Sequence, residues 1–174
     1  MRLFIAINLN EETKRQLIAF RDELRSNSQC GNFSNPENLH LTLAFLGECS
    51  PTQTATVKSV MNNMHFEPFD LTIEGIGRFR RDGGDTWWAK VCENKSLSDL
   101  HRNLTDRLIA AGFSLDRRKF SPHITLGREV VTDFQPKQIA AFGETVSSIE
   151  LMKSERINGK LTYTAIYTRE AADK

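Results

Sequence analysis

The sequence predicts an α+β fold. Short segments alternate apolar and polar residues at the two-residue period of strands. Strand-like segments are joined by glycine-bearing turns, at Arg81-Asp82-Gly83-Gly84 and at Asn158-Gly159. The helical segments do not follow every strand, as a doubly wound parallel sheet requires. At 174 residues the chain fits one domain or two small lobes sharing a core, spanning 1–174 without a linker or low-complexity stretch.

Taken in order, Arg2 to Leu9 reads as a buried strand. Asn10 is placed to cap a helix through about Ser26, with Leu17, Phe20 and Leu24 on one face. Asn27 to Glu37 is polar and contains Gly31 and Pro36, so a loop is expected. Asn38 to Leu46 alternates as a strand, ended by Gly47. Ser50-Pro51 opens a second helix, whose buried face is Val57, Val60, Met61 and Met64. Phe69 to Arg80 and Thr86 to Cys92 read as paired strands. Ser96 with Asp99 resembles a capping box for a helix carrying Leu97, Leu100, Leu104 and Leu108 and ended by Gly112. Pro122 to Gly127 is another alternating strand, and Gln135 to Phe142 reads as a short helix. Val146 to Arg156 and Lys160 to Thr168 close the chain as a hairpin.

Composition narrows the function. Apolar residues are 39% and charged residues 26%, as in an ordinary globular protein, and the net charge of +1 supplies no general attraction for nucleic acid. The apolar run at Met1 to Asn10 is too short for a signal peptide, and no run approaches a membrane span. Cys30, Cys49 and Cys92 lack CxxC spacing, which fits three reduced thiols in a cytoplasmic protein.

One small pattern occurs twice: His40-Leu41-Thr42-Leu43 and His123-Ile124-Thr125-Leu126. On a strand, His40 and Thr42 share one face while Leu41, Leu43 and Phe45 take the other. His123 and Thr125 share a face in the same way. An imidazole and a hydroxyl about 7 Å apart along a strand can converge on one small anion. Two such strands face to face would set two histidines across a cleft. Opening a cyclic phosphodiester requires a base for water and an acid for the departing oxygen, on opposite sides of phosphorus. Imidazole titrates near neutrality, so it suits both roles. The threonines can donate to non-bridging oxygens. The chemistry needs no metal or other cofactor.

Longer stretches around each copy match a known family. Asn38-Leu39-His40-Leu41-Thr42-Leu43-Ala44-Phe45-Leu46-Gly47-Glu48 and Phe120-Ser121-Pro122-His123-Ile124-Thr125-Leu126-Gly127-Arg128 resemble the two motifs of the 2H phosphoesterases, specifically the RNA 2′,3′-cyclic phosphodiesterases once named 2′-5′ RNA ligases. Arg2-Leu3-Phe4-Ile5-Ala6-Ile7 and Ile149-Glu150-Leu151-Met152-Lys153-Ser154 extend the likeness. The resemblance implies a bilobal fold, two small antiparallel sheets about a pseudo-twofold axis with a central groove. It implies metal-independent hydrolysis of a 2′,3′-cyclic phosphate on RNA or a nucleotide to a 2′-phosphate. His40 and His123 would be catalytic, and Thr42 and Thr125 would bind the phosphate. The family's Arg-Pro-Phe before the second motif is Arg118-Lys119-Phe120 here, and its aromatic residue before the first finds its nearest candidate in Phe33.

Other candidates follow from the residues. Arg128 would bind phosphate, although strict alternation turns it away from the groove unless the strand bulges near Gly127. Arg118 would line the groove for the RNA backbone. Trp87 and Trp88 face opposite ways, one into the core and the other free to stack a base, a role for which Phe79 has a weaker claim. His65 fits a helix end and His101 a solvated helix position. The expected partner is an RNA end or nucleotide bearing a cyclic phosphate, with no membrane, and the expected state is a monomer. The alternatives are 2′-5′ ligation, action on another cyclic nucleotide or nucleotide-sugar phosphate, and an RNA-end-binding module without catalysis.

Overall fold

Two antiparallel sheets share the strands so that each sheet receives one copy of the histidine motif. The computed structural model describes residues 1–173. Its elements are β1 (Arg2–Asn8), α1 (Glu11–Ser26), β2 (Ser28–Phe33), β3 (His40–Glu48), α2 (Pro51–Asn62), β4 (Phe69–Phe79), β5 (Asp85–Val91), α3 (Lys95–Ala110), β6 (His123–Thr132), β7 (Lys137–Val146), β8 (Ser148–Ile157) and β9 (Lys160–Glu170), with one 3₁₀ turn at Pro36–Asn38. The first sheet has the order β3-β1-β8-β9 and the second β2-β6-β5-β4-β7. The two lobes lie about a pseudo-twofold axis with a groove between them.

The repeat extends well beyond four residues. A strand of seven residues, β1, is followed by an asparagine-capped helix of 16, α1, and later by the motif strand β3, which pairs antiparallel with β1. β5, α3 and β6 repeat this unit, with strand and helix of the same lengths and an asparagine cap at the same place. One apolar interior joins the halves. Ile5 and Leu41 come from the first sheet, Trp87 and Ile124 from the second, Leu17 from α1 and Leu104 from α3, all without exposed surface. Burying each such side chain contributes about 1.5–3 kcal/mol.

Most expected elements form. Asn10 caps α1 by accepting from the Thr13 amide at 2.8 Å. Ser50 and Gln53 make a reciprocal capping box on α2. Asn158 and Gly159 both take positive φ, 52° and 78°, as a two-residue hairpin turn requires. All three cysteines are free thiols. No helix among the described residues is long and apolar enough to cross a membrane.

Three expectations fail. The segment expected as a loop over 27–37 contains β2, a short, polar, irregular strand on the edge of the second sheet. The helix expected over 135–142 is the start of β7. Ile73 lies opposite Phe142 and Gly75 opposite Gln138, so four residues of β7 span two of β4. That irregularity mimics a helical spacing of Ile139 and Phe142. A Cβ at Gly143 would sit 1.8 Å from the Leu71 carbonyl oxygen, so only glycine lets the strands approach there. Finally, the cap of α3 is Asn94, accepting from the Leu97 amide at 3.2 Å, and Ser96 lies inside the first turn.

Candidate active site

The two motif strands, β3 and β6, touch each other across the groove. Each imidazole is fixed by the same device. His40 Nδ1 donates to the Asn38 carbonyl at 2.6 Å, and His123 Nδ1 donates to the Ser121 carbonyl at 2.7 Å. A carbonyl accepts only, so Nδ1 carries the hydrogen and Nε2 is left for chemistry. His40 Nε2 meets Thr42 Oγ1 at 2.8 Å. His123 Nε2 has no such partner among the described residues.

Burial disfavours the imidazolium and lowers the pKa of both histidines, while the carbonyls at Asn38 and Ser121 oppose that shift. The positive charge of Arg128 lowers both further, and His123 and Lys14 add to the effect on His40. One guanidinium therefore acts on both imidazoles. An anion bound beside them would oppose this lowering and favour protonation.

Arg128 reaches this position through a β-bulge. Thr125 pairs with Trp88 and Gly127 with Trp87, which leaves Leu126 as an extra residue. Leu126 and Gly127 are both buried, and alternation resumes one place out of phase, with Arg128 exposed. Strict alternation, which turned Arg128 away, is thus broken where the sequence allowed for it. β3 does the same. Thr42 pairs with Ala6 and Ala44 with Ile5, which leaves Leu43 extra. This corrects the expectation for Phe45: it leaves the apolar face, is 65% exposed, and its ring lies 6.1 Å from that of Phe4, beside His40.

The walls of the two histidines differ. His40 is flanked by Phe4 at 5.0 Å and edge-on by Tyr163 at 5.3 Å between ring centroids. Phe4, Ala6, Met152 and Tyr163 form a small second apolar cluster, separate from the main interior. His123 is flanked edge-on by Phe79 at 5.2 Å and by Trp88 at 6.1 Å. Sequence reasoning missed Phe4 and Tyr163. Their signal was the strand pairing itself: Asn8 lies opposite His40, so Phe4 and Ala6 share that face, and β9 brings Tyr163 over it through β8.

The other candidates fall elsewhere. The Arg118 guanidinium is held by Asp116, with Nε 2.8 Å from Oδ2, and it draws the Asp116 carboxyl down to about 2. Among the described residues, no hydrogen bond links Arg118 to either histidine. Phe33 packs near Gly127, where a Cβ would lie 3.1 Å from its ring. Trp87 is core and Trp88 faces the groove. His65 lies past the end of α2 and is exposed. His101 is not solvated as expected: it stacks on Phe120 at 3.8 Å with ring planes 2° apart. That stack holds the approach to β6 where the family proline is missing. Among the described residues, no three His, Cys, Asp or Glu side chains converge as metal ligands would.

Comparison with known proteins agrees with this geometry. Residues 14–158 match the model of the 2′-5′ RNA ligase superfamily. A Geobacillus stearothermophilus protein named RNA 2′,3′-cyclic phosphodiesterase is 32% identical over 91% of this chain, which spans only 53% of that longer relative. A Thermotoga maritima protein of the same name is 35% identical over 74% of this chain and 70% of its own. The crystal structure of Escherichia coli LigT complexed with 3′-AMP superposes with a TM-score of 0.85 at 26% identity, covering 99% of this chain and 98% of that one.

Proposed function

Because the chain belongs to the 2′-5′ RNA ligase superfamily, we propose that it hydrolyses 2′,3′-cyclic phosphate on RNA ends or nucleotides to a 2′-phosphate, with His123 as base and His40 as acid. The observation that carries this is the matched pair of Nδ1–carbonyl hydrogen bonds, which turns both Nε2 atoms, His40's beside Thr42 and His123's open, to a groove where one arginine acts on both rings.

In the proposed step, His123 Nε2 takes a proton from water as the oxygen attacks phosphorus. The bond from phosphorus to O3′ breaks in line with that attack, and protonated His40 gives its Nε2 proton to O3′. The product keeps the phosphate on O2′. His40 ends neutral and His123 charged, so exchange with solvent restores both. Thr42, Thr125 and Arg128 donate to the non-bridging oxygens as charge builds there. Burial keeps His123 neutral, as a base must be. Arrival of the anionic phosphate favours the proton on His40, as an acid requires.

The superfamily name favours one further reading, formation of a 2′-5′ linkage. There an RNA 5′-hydroxyl attacks O2′-linked phosphorus in place of water and the same two histidines serve. The test is to incubate purified protein with cyclic-phosphate mononucleotides and oligonucleotides, with and without a 5′-hydroxyl RNA, and to resolve the products. A 2′-phosphate is expected. A 3′-phosphate would reverse the scissile bond, and an unreacted panel would leave only an RNA-end binder.

A further inference from the structure

Beside His123 the groove continues as a trough across the second sheet. Its position follows from strand register. His123 lies opposite Lys90 and Thr125 opposite Trp88; Gly75 in turn faces Lys90 and Gly77 faces Trp88; Gly75 also faces Gln138 on β7. Directly opposed residues share a face, so all of these lie on the groove side. The result is a cavity of about 410 Å³ floored by Gly75 and Gly77 and walled by Trp88, Lys90, Pro136 and Lys137. With strands about 4.8 Å apart, it reaches about 10 Å from β5 to β7.

Two features suit this trough to a nucleobase and its backbone. The Trp88 indole lies over Gly77, where a Cβ would come within 2.4 Å of the ring, so glycine is what lets the ring lie there. Phe79 packs against the same indole at 5.1 Å, and the Arg81 guanidinium sits 5.5 Å above Phe79. Lys90 is 57% exposed and pairs with Glu74, so with Arg81 it flanks the aromatic wall with cations, whereas the Lys137 ammonium pairs with Glu23 on α1 and gives the trough only its backbone. Aromatic faces with flanking cations are the means by which proteins hold single-stranded RNA.

We propose that this trough binds the RNA chain on the 5′ side of the cyclic phosphate, with a base stacked on Trp88. This rests on the cyclic-phosphate reading of the histidine pair. A 2′,3′-cyclic phosphate closes the 3′ end of a strand, so all remaining nucleotides lie on its 5′ side. A trough that begins at Trp88, whose ring lies 6.1 Å from that of His123, and runs away from the histidine is where they go. The preferred substrate is then an oligonucleotide, and the mononucleotide is a truncated one.

The test compares kcat/KM for cyclic-phosphate RNAs of one to four nucleotides. Wild type should improve about tenfold or more from one nucleotide to two or three, the size expected from one base stack. Trp88→Ala should flatten that rise and Trp88→Phe should restore part of it. Taking the ratio between lengths cancels any effect of the substitution on His123. In parallel, tryptophan fluorescence is titrated with a trinucleotide ending in a 2′-phosphate. Trp87 is shielded in the core, so quenching should appear in wild type and vanish in Trp88→Phe. Cyclic-phosphate opening with equal kcat/KM at every length, or a rise that survives Trp88→Ala, overturns the trough and leaves the phosphodiesterase standing. Quenching with no turnover at any length overturns the phosphodiesterase and leaves the trough standing. Absence of quenching overturns the trough.

Discussion

His40 and His123 begin the same pattern on matching strands, and each donates Nδ1 to a carbonyl two residues upstream, yet their surroundings are not interchangeable. His40 lies between Phe4 and Tyr163, and its Nε2 already touches Thr42. His123 lies beside Phe79 and Trp88 with Nε2 open. Ala6 underlies Thr42, whereas Trp88 occupies the place beside Thr125. The motif fixes which ring nitrogen is bonded to the backbone and which faces the groove, and the neighbouring strand fixes how that second atom is surrounded. Two copies of one unit can therefore divide the roles of acid and base.

The largest expected effect tests that division. His40→Ala and His123→Ala should each lower turnover by at least ~10²-fold with little change in melting temperature. An activated ester such as a nitrophenyl phosphodiester needs no proton on its leaving group. On it, His40→Ala should recover much of the lost rate and His123→Ala should not. The opposite pattern would exchange the roles, and equal rescue would mean that neither histidine is a simple proton carrier.

The threonines should come next. Thr42→Val and Thr125→Val each remove a donor worth roughly 2–4 kcal/mol of transition-state stabilisation by analogy with an oxyanion-hole donor. Only Thr42→Val should also alter the titration of its histidine, because only Thr42 touches an imidazole nitrogen. Histidine ring signals in NMR follow this directly; equal shifts in both variants would erase the asymmetry. Arg128→Gln should raise KM and raise the pKa of both His40 and His123, since the same guanidinium depresses both. A shift confined to one ring would show that the two halves do not share it.

A smaller effect is on stability. His40, His101 and His123 all have pKa values lowered chiefly by burial. Unfolded histidines titrate near ~6.5, so below that value the unfolded chain binds protons that the folded chain resists. The histidines' contribution is complete above about pH 6.5 and is lost as pH falls towards their folded values. Urea midpoints should drop through this range. The His40→Ala/His123→Ala double variant should show a shallower drop, with the His101 part retained. The smallest expected effect is none at all: exhaustive chelation should leave turnover unchanged, and restoration by zinc or manganese after loss would refute the two-histidine mechanism.

Much of the architecture was legible because it was local. The caps at Asn10 and Ser50, the Asn158-Gly159 turn and the leucine stripe of α3 each act within a few residues. What was hidden depended on partners far along the chain. β2 and β7 are edge strands held by β6 and β4, and their own residues say little about it. The His-Thr pairs were visible from strand period alone. Phe45 was misread, and Arg128 left undecided, because both lie beyond a bulge, which depends on the partner strand. Tyr163 and Phe4 needed the sheet order before they could be placed at all. The stack of His101 on Phe120 joins α3 to the approach of β6 and had no local signal.

The two bulges have a consequence for how a substrate is seated. A groove with twofold pseudosymmetry would accept a cyclic phosphate equally well in either sense, and half of all encounters would be the wrong way round. Leu43 and Leu126 each push the fifth residue after the histidine into the groove, Phe45 on one side and Arg128 on the other. A ring at one end and a cation at the mirrored position at the other give the groove polarity. On the proposed reading, that polarity decides which ribose oxygen departs, so the identity of the product is written in two positions outside the histidine–threonine pairs.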